Sequence, residues 1–291
     1  MTNVTAAGHT YRLVQDWAKL PPGDTFGIVS AVATDSQDRV YAFQRKDPPV
    51  VIFDTQGNYT GAWGISAIAD PHGLYIEDDI AYVTDRADSV ALTFTLDGRP
   101  LQVLGQRGVH SDTGCEVPLE LPPRSAGPFN YPTELVPSPS GDLYATDGYR
   151  NARVHRFTKE GRLITSWGEP GKKDPNQFHL PHSLIIRNET IYVCDRENSR
   201  IQLFSMDGRY LTMWTDVHKP TDISEGPDGL FYVSQLAAGD TPPEISVIDR
   251  DGKTQARWRS RSAHGLWVDS HGDIYLALTQ DKSVDKYIRE S

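Results

Sequence analysis

Cysteine is scarce in this chain: there are two in 291 residues, Cys115 and Cys194. One disulfide could form, but a fold held together by bridges is excluded. Positive charge is in deficit, with 29 Lys and Arg against 39 Asp and Glu and a net charge of -10. Such a chain does not attract phosphate backbones, so nucleic acid is not an expected partner, although net charge does not forbid one local basic cleft. Uninterrupted apolar runs fall short of the ~20 residues that cross a bilayer as a helix, so no membrane is expected either. The N-terminal residues Met1 to His9 lack a basic stretch followed by an apolar one. The reading is therefore no signal peptide and a cytoplasmic protein, though a mature chain whose signal had been removed would read the same. Helical periodicity is nearly absent.

What is present is a repeat. A tight turn followed by an apolar strand containing tyrosine occurs at Tyr41, Tyr82, Tyr144, Tyr192, Tyr232 and Tyr275, at intervals of 41, 62, 48, 40 and 43 residues. The long interval contains residues 105–130, rich in Pro and Gly, which read as an inserted loop. After most tyrosine strands comes a strand, a turn such as Asp-Gly, and a strand ending in Trp63, Trp167, Trp214 or Trp258. Asp-Gly supplies the positive φ of a two-residue hairpin. Four antiparallel strands per unit of about 40–45 residues describe a propeller blade. The expectation is an all-β, six-bladed β-propeller forming a single domain over residues 1–291. The last unit ends after its third strand, and the strand Tyr11 to Trp17 is expected to complete it and close the ring.

Aligning the first strands gives one equivalent position per unit: near Ser30, then His72, Thr133, His182, Thr221 and His264. The histidines occupy alternate blades, 120° apart in a six-fold ring. Three imidazoles converging there would offer a trigonal set of nitrogens with an open fourth position, as a catalytic zinc requires. The ligands lie 110 and 82 residues apart, so spacing alone would not reveal them. A lone histidine at a strand end is ordinarily a surface residue, and it is the shared position that argues otherwise. His9, His110, His155, His179, His218 and His271 show no such pattern and read as surface or loop residues. Arg45, Arg86, Tyr149 and Arg196 follow tyrosine strands, and Glu134 and Asp222 follow the shared position, so these six could line the same end. Salt bridges between blades are the competing reading for many of them.

Several motifs, in order, carry a resemblance to a known family. Asp70-Pro71-His72-Gly73-Leu74 comes first, then Ala145-Thr146-Asp147-Gly148-Tyr149-Arg150-Asn151-Ala152-Arg153-Val154. Gln177-Phe178-His179-Leu180-Pro181-His182-Ser183-Leu184 follows, then Cys194-Asp195-Arg196-Glu197-Asn198, and finally Ala263-His264. The chain resembles NHL-type propellers, and among them the peptidyl-hydroxyglycine (peptidylamidoglycolate) lyases. The resemblance is dense only over residues 129–204. It implies a zinc-dependent lyase that cleaves the C–N bond of a carbinolamide and releases glyoxylate. It implies His72, His182 and His264 as zinc ligands, Tyr149 as base, Arg45 as an active-site arginine and Arg45 or Arg196 as holder of a substrate carboxylate. Arg86, Glu134 and Asp222 are further substrate-binding candidates from their position. The chain departs from the family at Ser262, where the family has methionine, and at Gly265, where it has an acidic residue tied to a structural calcium. Calcium is thus not carried over. The family's disulfide cysteines are unmatched as well, since Arg150 follows Tyr149 and Leu203 follows Gln202.

A small hydroxylated, carbinolamide-like substrate is the expected partner. Two other readings stay open: a propeller hydrolase or lactonase that builds a calcium site from channel carboxylates, and a non-catalytic NHL interaction module. Nothing in the sequence speaks to oligomeric state.

Overall fold

The structure, a computed structural model, describes residues 3–290. Six antiparallel sheets of four or five strands follow one another along the chain, and the only helical element among the described residues is a three-residue 3-10 turn. This is the architecture of an all-β, six-bladed propeller. The chain divides into two compact units, Met1–Ala67 with Thr221–Ser291, and Ile68–Pro220.

The second unit holds three blades. Blade 2 is built from Pro71–Glu77, Ile80–Asp85, Val90–Thr95 and Pro100–Gly105. Blade 3 uses Pro132–Pro137, Leu143–Asp147, Arg153–Phe157 and Leu163–Trp167. Blade 4 uses Pro181–Arg187, Thr190–Asp195, Arg200–Ser205 and Tyr210–Trp214. The segment between blades 2 and 3 contains no strand.

The first unit holds the other three. Blade 1 comprises Val29–Thr34, Val40–Gln44, Val50–Phe53 and Tyr59–Trp63. Blade 5 comprises Pro220–Glu225, Phe231–Gln235, Glu244–Ile248 and Thr254–Arg259. Blade 6 has Gly265–Val268, Ile274–Leu278 and Ser283–Glu290, and the N-terminal strand His9–Val14 pairs with the last of these. A further strand, Asn3–Ala6, lies outside it, which the sequence did not suggest. Trp17 is buried against Phe53 and Tyr275, with the Lys286 ammonium over its ring.

The hairpins differ from the expected two-residue type. Between the third and fourth strands the loop has three residues: Asp54 N–H donates to the Asn58 carbonyl, and Gly57 alone takes positive φ, at 85°. Gly98, Gly161, Gly208 and Gly252 repeat this. A type I turn followed by one left-handed residue needs a glycine only in that last place. Two-residue turns do join first and second strands at Asp78-Asp79 and Asn188-Glu189, where both residues take positive φ. Cys115 and Cys194 are both buried free thiols.

Candidate functional site

The shared position is the second residue of the first strand in blades 1 to 5 and the residue just before it in blade 6, and its backbone is special. In blades 1 to 4 the pairing between first and second strands slips there: between Val29 and Ala31, Pro71 and Leu74, Pro132 and Glu134, and Pro181 and Ser183. A bulge leaves one residue unpaired and re-aims its side chain. A proline opens the strand in blades 2, 3, 4 and 5, where no ladder hydrogen is required. Opposite the proline stands a buried aspartate: Asp85, Asp147 or Asp195. Each accepts the backbone N–H three residues before the shared position, from Ala69 at 2.7 Å, Asn130 at 2.9 Å and His179 at 2.8 Å. In blade 1 Gln44 does the same for Gly27 at 2.7 Å. Burial pushes the Asp85 carboxyl up. It pushes Asp195 up to about 6, against the pull of Asn198, Arg200 and the His179 N–H. These aspartates escaped the sequence reading, although Tyr-x-x-Asp recurs at Tyr82–Asp85, Tyr144–Asp147 and Tyr192–Asp195.

In the second unit, His72 and His182 come together. Both are buried, their ring centroids are 4.9 Å apart, and each offers a ligand nitrogen within 4.8 Å of the other's. His72 Nδ1 lies 2.7 Å from the Thr133 carbonyl. A carbonyl can only accept, so Nδ1 carries the proton and Nε2 keeps the lone pair a metal needs. Gly73 makes this reach possible: a Cβ there would lie 2.3 Å from the same carbonyl and 2.9 Å from Glu134 Oε1. Thr133 in turn donates its hydroxyl to the Pro181 carbonyl at 2.8 Å, just before His182.

Tyr149 stands over this pair. Its ring is 5.0 Å from His72, and its hydroxyl is 3.4 Å from both His182 Nε2 and Arg196 Nη1. The preceding residue must be glycine, because a Cβ on Gly148 would sit 2.3 Å from the Pro181 carbonyl. Guanidinium groups flank the ring, Arg86 at 4.7 Å and Arg196 at 5.6 Å from its centroid. Arg86 is also bound to Asp70 through Nε at 2.8 Å and Nη2 at 2.7 Å, which fixes it beside the blade 2 histidine. Arg196 is buried and bonds Glu197 at 3.0 Å, and Glu197 also meets Lys219 at 3.0 Å. Burial alone would raise the Glu197 carboxyl. Arg196 and Lys219 outweigh it and hold Glu197 below its usual range. Glu134 is buried, with Oε1 against Gly73.

The first unit repeats part of the pattern. His264 Nδ1 lies 2.7 Å from the Ser30 carbonyl, which again directs the lone pair to Nε2. Gly265 follows it, with a virtual Cβ 2.9 Å from Ala31 Cα and 3.0 Å from the Ser30 carbonyl. An acidic side chain has no room there. Thr221 donates to the Ala263 carbonyl at 3.0 Å. Asp222 accepts from the Leu266 N–H at 2.8 Å, so its carboxylate ties blade 5 to blade 6. Arg45 follows the second strand of blade 1, and its N–H bonds the Ile28 carbonyl.

Among the histidines read as surface or loop residues, His155 is a correction. It is fully buried on the third strand of blade 3, 2.7 Å from Ser166 Oγ and 3.3 Å from Asp147. An inward strand position with two polar partners makes a satisfied core histidine. Asp38, Asp269 and His271 are also close enough to share a cation. However, Asp38 already takes Ser270 and His271, and Asp269 takes Tyr275 and backbone N–H groups.

Comparison with known proteins gives relatives of two kinds. The chain is 31% identical to mouse peptidyl-glycine alpha-amidating monooxygenase over 208 residues, covering 59% of this chain and 20% of that protein. It is 28% identical to human NHL repeat-containing protein 3, covering 96% and 84%. It is 24% identical to a Caenorhabditis elegans probable peptidyl-alpha-hydroxyglycine alpha-amidating lyase, covering 90% and 83%. The chain thus spans about a fifth of the mouse monooxygenase it matches. No family profile matches it. A solved streptogramin B lyase superposes with a TM-score of 0.65 at 12% identity, covering 99% of this chain and all of that one. Virginiamycin B lyase of Staphylococcus aureus gives 0.63 at 15%, covering 96% and 87%. At such identities these neighbours speak for the fold alone.

Proposed function

We propose that the protein is a lyase that breaks the C–N bond of a small carbinolamide, with a divalent metal, zinc by preference, held by His72, His182 and His264. The observation that carries this is the cluster of Tyr149, His72 and His182, with the Tyr149 hydroxyl 3.4 Å from His182 Nε2. The donor set fits the metal. Nδ1 of His72 and of His264 is committed to a backbone carbonyl, so both present Nε2 as neutral imidazole. Relatives named amidating lyases support the same reading.

When bound, the metal would act as a Lewis acid toward substrate oxygen. Tyr149 takes the proton from the substrate hydroxyl. That oxygen's electron pair forms the new carbonyl, the C–N bond breaks, and the Tyr149 hydroxyl returns the proton to the departing nitrogen, which leaves as amide. Arg196 and Arg86 place positive charge beside the Tyr149 oxygen and ring, next to the substrate oxygen that turns negative as it gives up its proton. Arg45 or Arg196 is suited to a substrate carboxylate through a two-pronged contact. Asp222 is bonded to backbone, which suits a support, and Glu134 is kept as a substrate-binding candidate.

Metal analysis of purified protein, together with turnover of an N-acyl-α-hydroxyglycine to amide and glyoxylate, tests this. Near one zinc or other transition-metal ion per chain is expected, with turnover lost in His182→Ala and lowered by on the order of 100-fold or more in Tyr149→Phe. Protein without such a metal would overturn the site. It would favour a non-catalytic interaction module, and the NHL repeat-containing relative matches more of the chain than the monooxygenase does. Tightly bound calcium in its place would favour a hydrolase.

A further inference from the structure

The inserted loop lays one tight turn against the candidate site. Glu120 N–H donates to the Val117 carbonyl at 3.4 Å, closing a turn around Pro118 and Leu119. Leu119 occupies the third place of this turn with φ at 79°. Proline second and a left-handed residue third are the marks of a type II turn, whose third place ordinarily takes glycine or asparagine. A leucine there is under backbone strain. Burial does not offset the strain, since Leu119 is 49% exposed and Val117 is 51% exposed.

The backbone of Leu119 is fixed on both sides. Its N–H donates to the Tyr149 carbonyl at 3.1 Å, and its carbonyl accepts from His179 Nε2 at 3.0 Å. The His179 carbonyl in turn accepts the Glu197 N–H at 3.1 Å, one residue beyond Arg196. Leu119 is thus held between two segments whose side chains, Tyr149 and Arg196, meet at 3.4 Å. A glycine would make both backbone bonds equally well and without strain, so neither bond accounts for the leucine. A strained and half-exposed apolar side chain beside Tyr149 answers to a ligand better than to the fold.

We propose that Leu119, with Val117, is a specificity-determining contact for an apolar acyl group on the substrate nitrogen. This rests on the lyase reading. There the substrate hydroxyl faces Tyr149 and the carboxylate takes a guanidinium, which leaves the acyl group for an apolar surface. Turnover of N-acetyl- and N-hexanoyl-α-hydroxyglycine by the full chain tests it. The hexanoyl substrate is expected to have the higher kcat/KM, on the order of tenfold and through a lower KM. Leu119→Gly and Leu119→Asn suit the left-handed backbone, so they should remove most of that advantage while Tm stays unchanged or rises. Leu119→Met should keep the advantage. Equal kcat/KM for the two substrates, or an advantage that survives Leu119→Gly, would overturn the proposal and leave the lyase reading standing. A Tm lower by about 5 °C or more in Leu119→Gly would make the leucine a packing residue and overturn the proposal as well. Turnover of neither substrate would overturn the lyase reading and the proposal together.

Discussion

Two glycines set the geometry of the candidate site more tightly than any charged group. Gly73 and Gly265 follow histidines whose Nδ1 atoms reach the neighbouring blade, and each lies hard against the carbonyl that accepts the bond. A methyl group at 73 must displace the Thr133 carbonyl, and with it the orientation of His72. Gly73→Ala is expected to cost about 2 kcal/mol or more in urea unfolding, as overpacking does, and to lower metal content in the same preparation. Glu197 gives a residue-scale test of pH. Its folded carboxyl is held down by Arg196 and Lys219. Its contribution is therefore present above the unfolded value of about 4.3 and is lost as pH falls through the lower folded value. The stability gap between wild type and Glu197→Gln should be widest above about pH 5 and should close in acid, as read from urea midpoints between neutral pH and pH 3. A gap that stays constant with pH would remove Glu197 from the ion pair.

At the scale of elements, the N-terminal segment is part of the last blade rather than an appendage. His9–Val14 pairs along Ser283–Glu290, Tyr11 bonds Tyr232 at 2.8 Å between hydroxyls, and Trp17 fills the space between Phe53 and Tyr275. Fully burying one such aromatic is worth about 1.5–3 kcal/mol, and removal would also bare the backbone edge of Ser283–Glu290. A chain lacking residues 1–18 is expected to be insoluble or to melt well below wild type in a thermal scan. A shift of only a degree or two would show the strand to be dispensable. The blades were legible from the tyrosine spacing and the turn glycines because strand period and hairpin chemistry are local. The clamp on each first strand was not legible. Asp85, Asp147 and Asp195 look like turn residues in sequence, and their task appears only when the N–H groups of Ala69, Asn130 and His179 fold back onto them. His155 was misread for a related reason: alternation says that a strand residue points inward, but not that Asp147 and Ser166 wait there.

For the molecule as a whole, bound metal and folding are linked. An ion that binds only the folded chain stabilises it by mass action, on the order of 3 kcal/mol at a hundredfold excess over Kd. Dialysis against a strong chelator should therefore lower Tm by on the order of 5 °C, and one equivalent of zinc should restore it. An unchanged Tm would mean that the histidines hold no ion of consequence. The shared position itself was found by aligning units, since symmetry turns distant residues into equivalents. Which polar neighbours are committed elsewhere was beyond sequence: Arg86 to Asp70 and Asp222 to Leu266 are contacts between chain segments 16 and 44 residues apart.

The bonds at the shared position have an evolutionary consequence. His72 and His264 donate to the carbonyl of the shared position in the next blade, and Thr133 and Thr221 donate to the carbonyl one residue before it. Either side chain fastens one blade to its neighbour, but only histidine has a second nitrogen to spare. A descendant could therefore exchange histidine for threonine here, one codon at a time, giving up chemistry while keeping its architecture, or take the reverse path and acquire chemistry on a scaffold already in place.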